Sequence, residues 1–193
     1  MAPANFLAIH NTILTLLDLF SPDALVYIVP FLFKLQADSE GVYGSPQQRA
    51  AHNLVLQTLL SIAEALDSKD LATHLKAVKE DRVENNQWLT GLDFQPGDLK
   101  SLKSKSLKDL DKKKKSKPET KNTLLQKEKV VTLLLQGKEA LAPFKAAMLE
   151  SLPSEGESDG DSEGEDGGHI FNFCISFHWE GSYRFSIHFL FCG

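Results

Sequence analysis

Apolar residues recur at three- and four-residue steps over most of residues 4–90, which predicts amphipathic helices. The first helix carries its apolar positions on one face: Phe6, Ile9, Ile13, Leu16, Leu17 and Phe20. Ser21-Pro22-Asp23 then offers a cap, a proline at the first helical position and an acid in the first turn, so a second helix is expected to follow. Pro30 either kinks that helix or marks a short break.

Two further helices are predicted in the same stretch. Ser45-Pro46 repeats the start signal for the third helix, and Asp67 or Ser68 is expected to cap the fourth, which we extend to Trp88. Four helices joined by short polar turns form either a closed bundle or two repeats of an α-solenoid. The first three are apolar on more than one narrow stripe, which suits a layer covered on both sides. We therefore predict an all-α fold, the helical pairs of a HEAT- or armadillo-like solenoid fragment, for 4–90.

Another pair of short amphipathic helices is predicted in 120–152. Gly137 either ends the first of them through its tolerance of positive φ or lies inside one longer helix. The second shows a clear apolar face: Ala140, Leu141, Phe144, Met148, Leu149 and Leu152. Such a segment either packs back on the helical body or docks into a groove of a partner.

Charge is distributed in blocks along the chain. The net charge is −5, but residues 91–119 contain nine lysines, including Lys112, Lys113, Lys114 and Lys115, whereas 153–168 is acidic and rich in glycine and serine. We expect both blocks to be disordered. The lysines are candidates for contact with an anionic membrane surface, and less so with nucleic acid because arginine is missing there and no aromatic residue is interleaved with the lysines. Three serines have an acid three residues later and are candidate phosphorylation sites: Ser154, Ser158 and Ser162.

Residues 169–193 differ from the rest of the chain, because aromatic and polar residues alternate in two runs around Glu180-Gly181-Ser182. This pattern predicts a β-hairpin with one wholly apolar face. Cys174, His178 and His188 would share the other face, but their spacing matches no zinc pattern. We interpret 169–193 as a β-prone tail that is foreign to the helical fold.

The remaining composition excludes several classes of protein. Two cysteines do not make a disulfide framework, and no secretory signal, myristoylation site or bilayer-length apolar run is found, so a cytoplasmic protein is expected. Phosphate-binding glycine loops and motifs for metal or serine hydrolysis are missing. His10, His52 and His74 fall on separate predicted helices and are interpreted as packing or surface residues. We expect no enzyme, no cofactor and no metal.

Three stretches resemble the C-terminal part of the Rolling-blackout family, which are armadillo/HEAT-like scaffolds that hold phosphatidylinositol 4-kinase type III alpha at the plasma membrane. They are Ala8-Ile9-His10-Asn11-Thr12 through Phe31-Leu32-Phe33-Lys34-Leu35-Gln36, then Gln48-Arg49-Ala50-Ala51-His52-Asn53-Leu54, and Glu128-Lys129-Val130-Val131 to Ala142-Pro143-Phe144-Lys145. The resemblance extends over about residues 5–150. It implies a scaffold fragment that lacks the palmitoylated cysteines of the family and therefore its membrane anchor.

The resemblance also implies a partner, because the C-terminal helices of that family are implicated in binding a tetratricopeptide-repeat subunit of the kinase complex. Carried over to this sequence, the docking residues are Val130, Val131, Leu134, Phe144, Met148 and Leu149. We expect a non-enzymatic scaffold that is cytoplasmic or peripheral at the plasma membrane. The alternative is a nuclear or nucleolar adaptor that uses the lysine-rich and acidic segments for charge-driven contacts with nucleic acid or histones.

Overall fold

The chain divides into two compact units, Ala2–Ser154 and Glu155–Gly193. The computed structural model describes residues 3–40, 46–89, 92, 106–107 and 124–150, and the backbone of 172–180 and 184–192. All regular structure described in the first unit is helical, which confirms the all-α prediction for that unit. Lys112–Lys115 and the three candidate phosphoserines, Ser154, Ser158 and Ser162, lie outside the described residues.

Four long helices form the body of the first unit. They are α1 (Pro3–Phe20), α2 (Leu25–Ser39), α3 (Pro46–Ala65) and α4 (Lys69–Glu84), with a short 3-10 helix, η1 (Ser21–Ala24), between α1 and α2. Helix α2 runs through Pro30 without a break, so of the two effects predicted for this proline the short break is absent. Helix α3 is central, because α1, α2 and α4 all pack against it.

Helix α3 is buried over most of its length because three helices cover it. Its interior includes side chains with no exposed surface, such as Leu54, Leu56, Leu59 and Ile62. One apolar cluster joins α1 and α3 to the chain beyond α4: Phe6, Leu7, Ala50, Ala51, Leu54, Leu89, Leu92 and Leu107. Burial of this apolar surface is the main driving force for the packing of the body.

Two residues in the left-handed conformation end the third and fourth helices. Asp67 (φ 48°) follows α3, and Asn86 (φ 55°) follows α4. The extension of the fourth helix to Trp88 is therefore wrong, since the chain turns after Glu84. Trp88 is nevertheless buried, and Lys79 Nζ lies 4.9 Å from the centre of its ring.

A second group of helices follows in the same unit. It consists of α5 (Lys127–Leu135), the 3-10 helix η2 (Glu139–Phe144) and α6 (Lys145–Leu149). Gly137 has a φ of +70°, which terminates α5 and confirms one of the two roles predicted for this glycine. We call residues 124–150 the cover segment.

The unit Glu155–Gly193 contains two antiparallel strands, β1 (Asn172–Glu180) and β2 (Arg184–Cys192). Their register pairs Phe173 with Phe191 and Glu180 with Arg184. His188 pairs with Ser176, so Cys174 and His178 occupy the neighbouring positions on the same face of β1. The interpretation of this hairpin as foreign to the helical fold stays a prediction.

Candidate docking surface

The cover segment packs back on the helical body. Helix α5 contacts α4, helix α6 contacts α2, and α5 and α6 contact each other. Of the two arrangements that the sequence allows, packing in cis is therefore the one present in the structure. Helix α2 is consequently covered on two sides, by α3 and by α6, which explains why apolar residues appear on more than one of its stripes.

This packing corrects four of the six predicted docking residues. Val130, Val131, Leu134 and Met148 have no exposed surface, so none of them can contact a partner while the cover segment stays in place. The periodicity that suggested a docking face is the periodicity of a core face. Phe144 and Leu149 are half-buried and stay candidates for contact with a partner.

A side-chain amide fixes the start of the cover segment. Gln36 Nε2 donates to the carbonyl oxygen of Leu125 at 3.0 Å, and the amide nitrogen of Leu125 donates to Gln36 Oε1 at 3.2 Å. Both groups are buried, so the pair satisfies two main-chain atoms that would otherwise lose their water. Asn53 makes the same two-way contact with Leu89, at 2.9 and 3.4 Å.

A second contact with main-chain atoms fixes α5 to the body. Ser68 precedes α4 at its N-cap position, but its side chain makes no capping hydrogen bond there. Instead, Ser68 Oγ donates to the carbonyl oxygen of Leu133 at 3.2 Å. The residue that the sequence analysis considered for capping α4 therefore connects α4 to α5.

Lys127 holds the two ends of the cover segment together. Its Nζ donates to the carbonyl oxygen of Leu149 at 2.8 Å and also to that of Glu150. These carbonyls end α6, where a positive charge is favourable. Partial burial lowers the pKa of Lys127, and Glu128 and Glu150 oppose that shift.

The outward side of the cover segment is partly apolar. Ala142, Pro143 and Ala146 are exposed around the half-buried Phe144, and the intervening Lys145 is exposed as well. We call residues 142–146 the outer corner. Leu124, at the start of the segment, is 42% exposed. The corner is one of the stretches that carry the family resemblance, but periodicity alone did not distinguish its exposed residues from the buried ones.

A buried polar cluster lies between α2, α3 and α4. Arg82 has no exposed surface, and its Nη1 donates to the carbonyl oxygen of His52 at 3.0 Å. His52 Nε2 lies 3.1 Å from Glu40 Oε1 without the alignment of a hydrogen bond. Burial, together with the charge of Arg82, lowers the pKa of His52 to about 3, so this contact is not an ion pair at neutral pH.

Burial lowers the pKa of two other groups in the body. His10 is buried, its Nδ1 lies 3.0 Å from Thr58 Oγ1, and its pKa falls to about 4. The pKa of Arg82 falls to about 10 because burial outweighs the opposing charge of Glu40. His10 and His52 are therefore neutral near pH 7 and belong to the packing of the body, in agreement with their interpretation from the sequence.

In 3–40, 46–89 and 124–150, together with Leu92, Ser106 and Leu107, no group of three or more potential metal ligands occurs. None of the helices within these residues is long and apolar enough to cross a bilayer.

Comparison with known proteins gives no relative of this chain. No family model, no curated protein and no solved structure matches it.

Proposed function

We propose that this chain is a non-enzymatic scaffold that binds a protein partner through the outer corner of the cover segment. The observation that carries the proposal is the combination of fixed and exposed parts in that segment. Gln36, Ser68 and the buried apolar side chains hold the segment on the body, while Ala142, Pro143 and Ala146 face solvent. A rigid element that presents a small apolar patch with one basic residue is suited to binding a protein surface.

We further propose that the helices belong to a HEAT- or armadillo-like solenoid. Helix α2 has neighbours on two sides, and α3 has three neighbours, as in stacked helical layers. The resemblance to the Rolling-blackout family supports the same arrangement. On that basis the partner is a tetratricopeptide-repeat subunit of a phosphatidylinositol 4-kinase complex, at the cytoplasmic side of the plasma membrane.

The non-enzymatic part of the proposal rests on how the described polar groups are used. Buried His10, His52 and Arg82 take part in contacts within the body. A general base for catalysis needs access to a substrate and a pKa near the working pH, whereas burial moves the pKa of both histidines well below neutrality.

The direct test measures binding of the full chain to the purified tetratricopeptide-repeat subunit. Ala146→Arg places a large charged side chain in the outer corner without touching the core. Ala77→Arg makes the same change at an exposed position of α4 and is the matched control. We expect Ala146→Arg to weaken binding at least about tenfold, corresponding to about 1.4 kcal/mol, and Ala77→Arg to leave it unchanged.

Other results would contradict this proposal. Equal binding by both variants would show that the outer corner is not part of the interface. A lack of binding by the unmodified chain would rule out the proposed partner. Binding to nucleic acid or histones that weakens steeply between 50 and 200 mM salt, and is unaffected by Ala146→Arg, would favour the nuclear adaptor instead.

A further inference from the structure

The hairpin of the second unit has one face made only of large apolar residues. Successive residues of a strand alternate between the two faces, and residues that pair directly share a face. The register of β1 and β2 therefore places eight residues on one face: Phe173, Ile175, Phe177, Trp179, Phe185, Ile187, Phe189 and Phe191. The opposite face is mostly polar, and its one acid, Glu180, pairs with its one base, Arg184.

A hairpin of this kind needs a second layer. Two strands alone are marginally stable in water, and a wholly apolar face left in water makes association favourable. Within the residues of Glu155–Gly193 that the structure describes, β1 and β2 are the only regular elements, so no second layer comes from those residues. A stable form of the hairpin therefore requires a surface from outside this unit.

The apolar face is as large as one side of a stable interface. Six of its eight residues are aromatic, and covering one side of such a residue removes about 100 Å² of its surface from water. Eight large apolar residues then bury about 800 Å² per copy, which is the area that each partner contributes to a standard stable interface. The same face of a second copy is thus large enough to cover the hairpin.

Charge argues against a lipid surface as the occupant. Residues 154–166 contain seven acids and no base, and they end six residues before β1 begins. Six residues of chain span at most about 20 Å, so the acids stay near that end of the hairpin. An anionic membrane repels them, and Glu180 and Arg184 leave the polar face without a net charge that would offset the repulsion.

We propose that the apolar face of the hairpin is a dimerisation surface, on which the same face of a second copy of this chain packs. The two hairpins form a sandwich of two sheets about 10 Å apart, related by a twofold axis. The outer corner has no part in this surface, so the dimer does not depend on the function proposed for that corner.

The acidic residues also favour one orientation of the two copies. Strands of nine residues are about 30 Å long, and the acids precede the end of the hairpin that Asn172 and Cys192 form. A twofold axis across the strands places these ends about 30 Å apart, which is several Debye lengths at physiological salt. An axis along the strands brings both groups of seven acids together. The Glu180–Arg184 end of one hairpin therefore lies over the Asn172–Cys192 end of the other.

The first experiment measures the mass of the full chain in solution. We expect sedimentation equilibrium at micromolar concentration to give a dimer, with twice the chain mass of 21.4 kDa. Phe177→Glu places a charge near the centre of the apolar face and should weaken dimerisation at least about 100-fold. Ser176→Glu adds the same charge at the neighbouring position on the polar face. This matched control should dimerise as the unmodified chain does.

A distance measurement tests the orientation with the apolar face intact. The chain has two cysteines, so Cys174→Ser leaves Cys192 as the single attachment site for a spin label, at the end of β2 on the polar face. Pulsed electron resonance should give a distance of about 35 Å between the labels of the two copies, and about 25 Å if the two Asn172–Cys192 ends lay together. A distance near the shorter value would contradict the proposed orientation.

Three further results would overturn the proposed surface. A monomer at all concentrations up to about 100 µM would show that no second copy covers the face, since a standard interface binds more tightly than that. Equal dimerisation of Phe177→Glu and the unmodified chain would place the dimer contact elsewhere. Polymers that bind thioflavin T would show that strand edges associate instead of the face. Binding of the tetratricopeptide-repeat subunit is a separate measurement, so either proposal can fail without the other.

Discussion

Gln36 and Leu125 are 89 positions apart in the sequence, yet the amide of Gln36 bonds both polar main-chain atoms of Leu125. The pair joins the end of α2 to the residue that leads into α5. Both residues are buried, so the two hydrogen bonds replace solvation that their polar groups lost on folding. The contact fixes where the cover segment begins on the body.

Replacement of Gln36 by leucine should therefore destabilise the protein. Gln36→Leu leaves the N–H and C=O of Leu125 buried without these bonds, and we expect the free energy of unfolding to fall by about 2 kcal/mol. Urea denaturation measures this loss. Gln47→Leu, at an exposed position of α3, is the control and should change stability by less than about 0.5 kcal/mol. Equal effects of the two changes would refute the role of the amide.

The buried guanidinium of Arg82 leads to a second prediction. Arg82→Ala removes a fully buried side chain and its bond to His52, so we expect a loss of about 3 kcal/mol. Arg82→Met keeps much of the side-chain volume and removes the buried charge. It should therefore lower the free energy of unfolding by less than Arg82→Ala does. Chemical denaturation of both variants beside Lys76→Ala, an exposed position on the same helix, tests this order. A larger loss for methionine than for alanine would contradict it.

Acid should destabilise the protein through its two buried histidines. Their pKa values are about 4 for His10 and about 3 for His52 in the folded state, whereas an unfolded chain titrates histidine near 6.5. The unfolded state therefore binds more protons between pH 6.5 and 4. Stability is greatest above pH 6.5 and falls as pH decreases, by up to about 1.4 kcal/mol per histidine and pH unit.

The slope of stability against pH provides the measurement. Urea midpoints taken between pH 4.5 and 7.5 should show a shallower slope for His10→Gln, by roughly half, because one of two such groups is removed. His74→Gln serves for comparison, since His74 is only partly buried and its pKa is lowered by that burial and by the charge of Lys129. An unchanged slope in His10→Gln would show that His10 does not control the acid response.

Shortening Met148 should loosen the cover segment selectively. Met148 is fully buried on α6, and Met148→Ala leaves a cavity that costs about 2–4 kcal/mol at that site. We expect hydrogen exchange to accelerate in α5 and α6 while the centre of α3 keeps its protection. Lys145→Ala, exposed on the same short helix, should change neither region. Acceleration across α3 as well would mean that cover and body open together.

Much of the helical body could be predicted from local sequence signals. The apolar spacing of Phe6, Ile13 and Leu17 places them on one face of α1, and all three are buried. Gly137 ends α5 because only glycine adopts a φ of +70° at little cost. These features depend on residues that are close together in the sequence, so apolar periodicity and turn chemistry are enough to predict them.

Contacts across long sequence separations could not be predicted in this way. An apolar face such as that of Val130, Val131 and Leu134 suits a core and a partner groove equally well, and only the packed structure shows that it is covered in cis. Gln36 and Ser68 gave no signal of their bonds to Leu125 and Leu133, because polar residues in helices are usually solvated. The apolar spacing places Trp88 in the fourth helix, whereas that helix ends at Glu84 and the chain then turns through Asn86.

The proline inside α2 has a consequence for the newly synthesised chain. Pro30 has no N–H to donate, and its neighbours Ile28 and Val29 are weak helix formers, so α2 depends on packing against α3. On the ribosome, α2 leaves the exit tunnel before α3 does. During that interval the stretch Leu25–Phe33 emerges as an uncovered run of apolar residues, and we expect it to be the part of the nascent chain that molecular chaperones bind first.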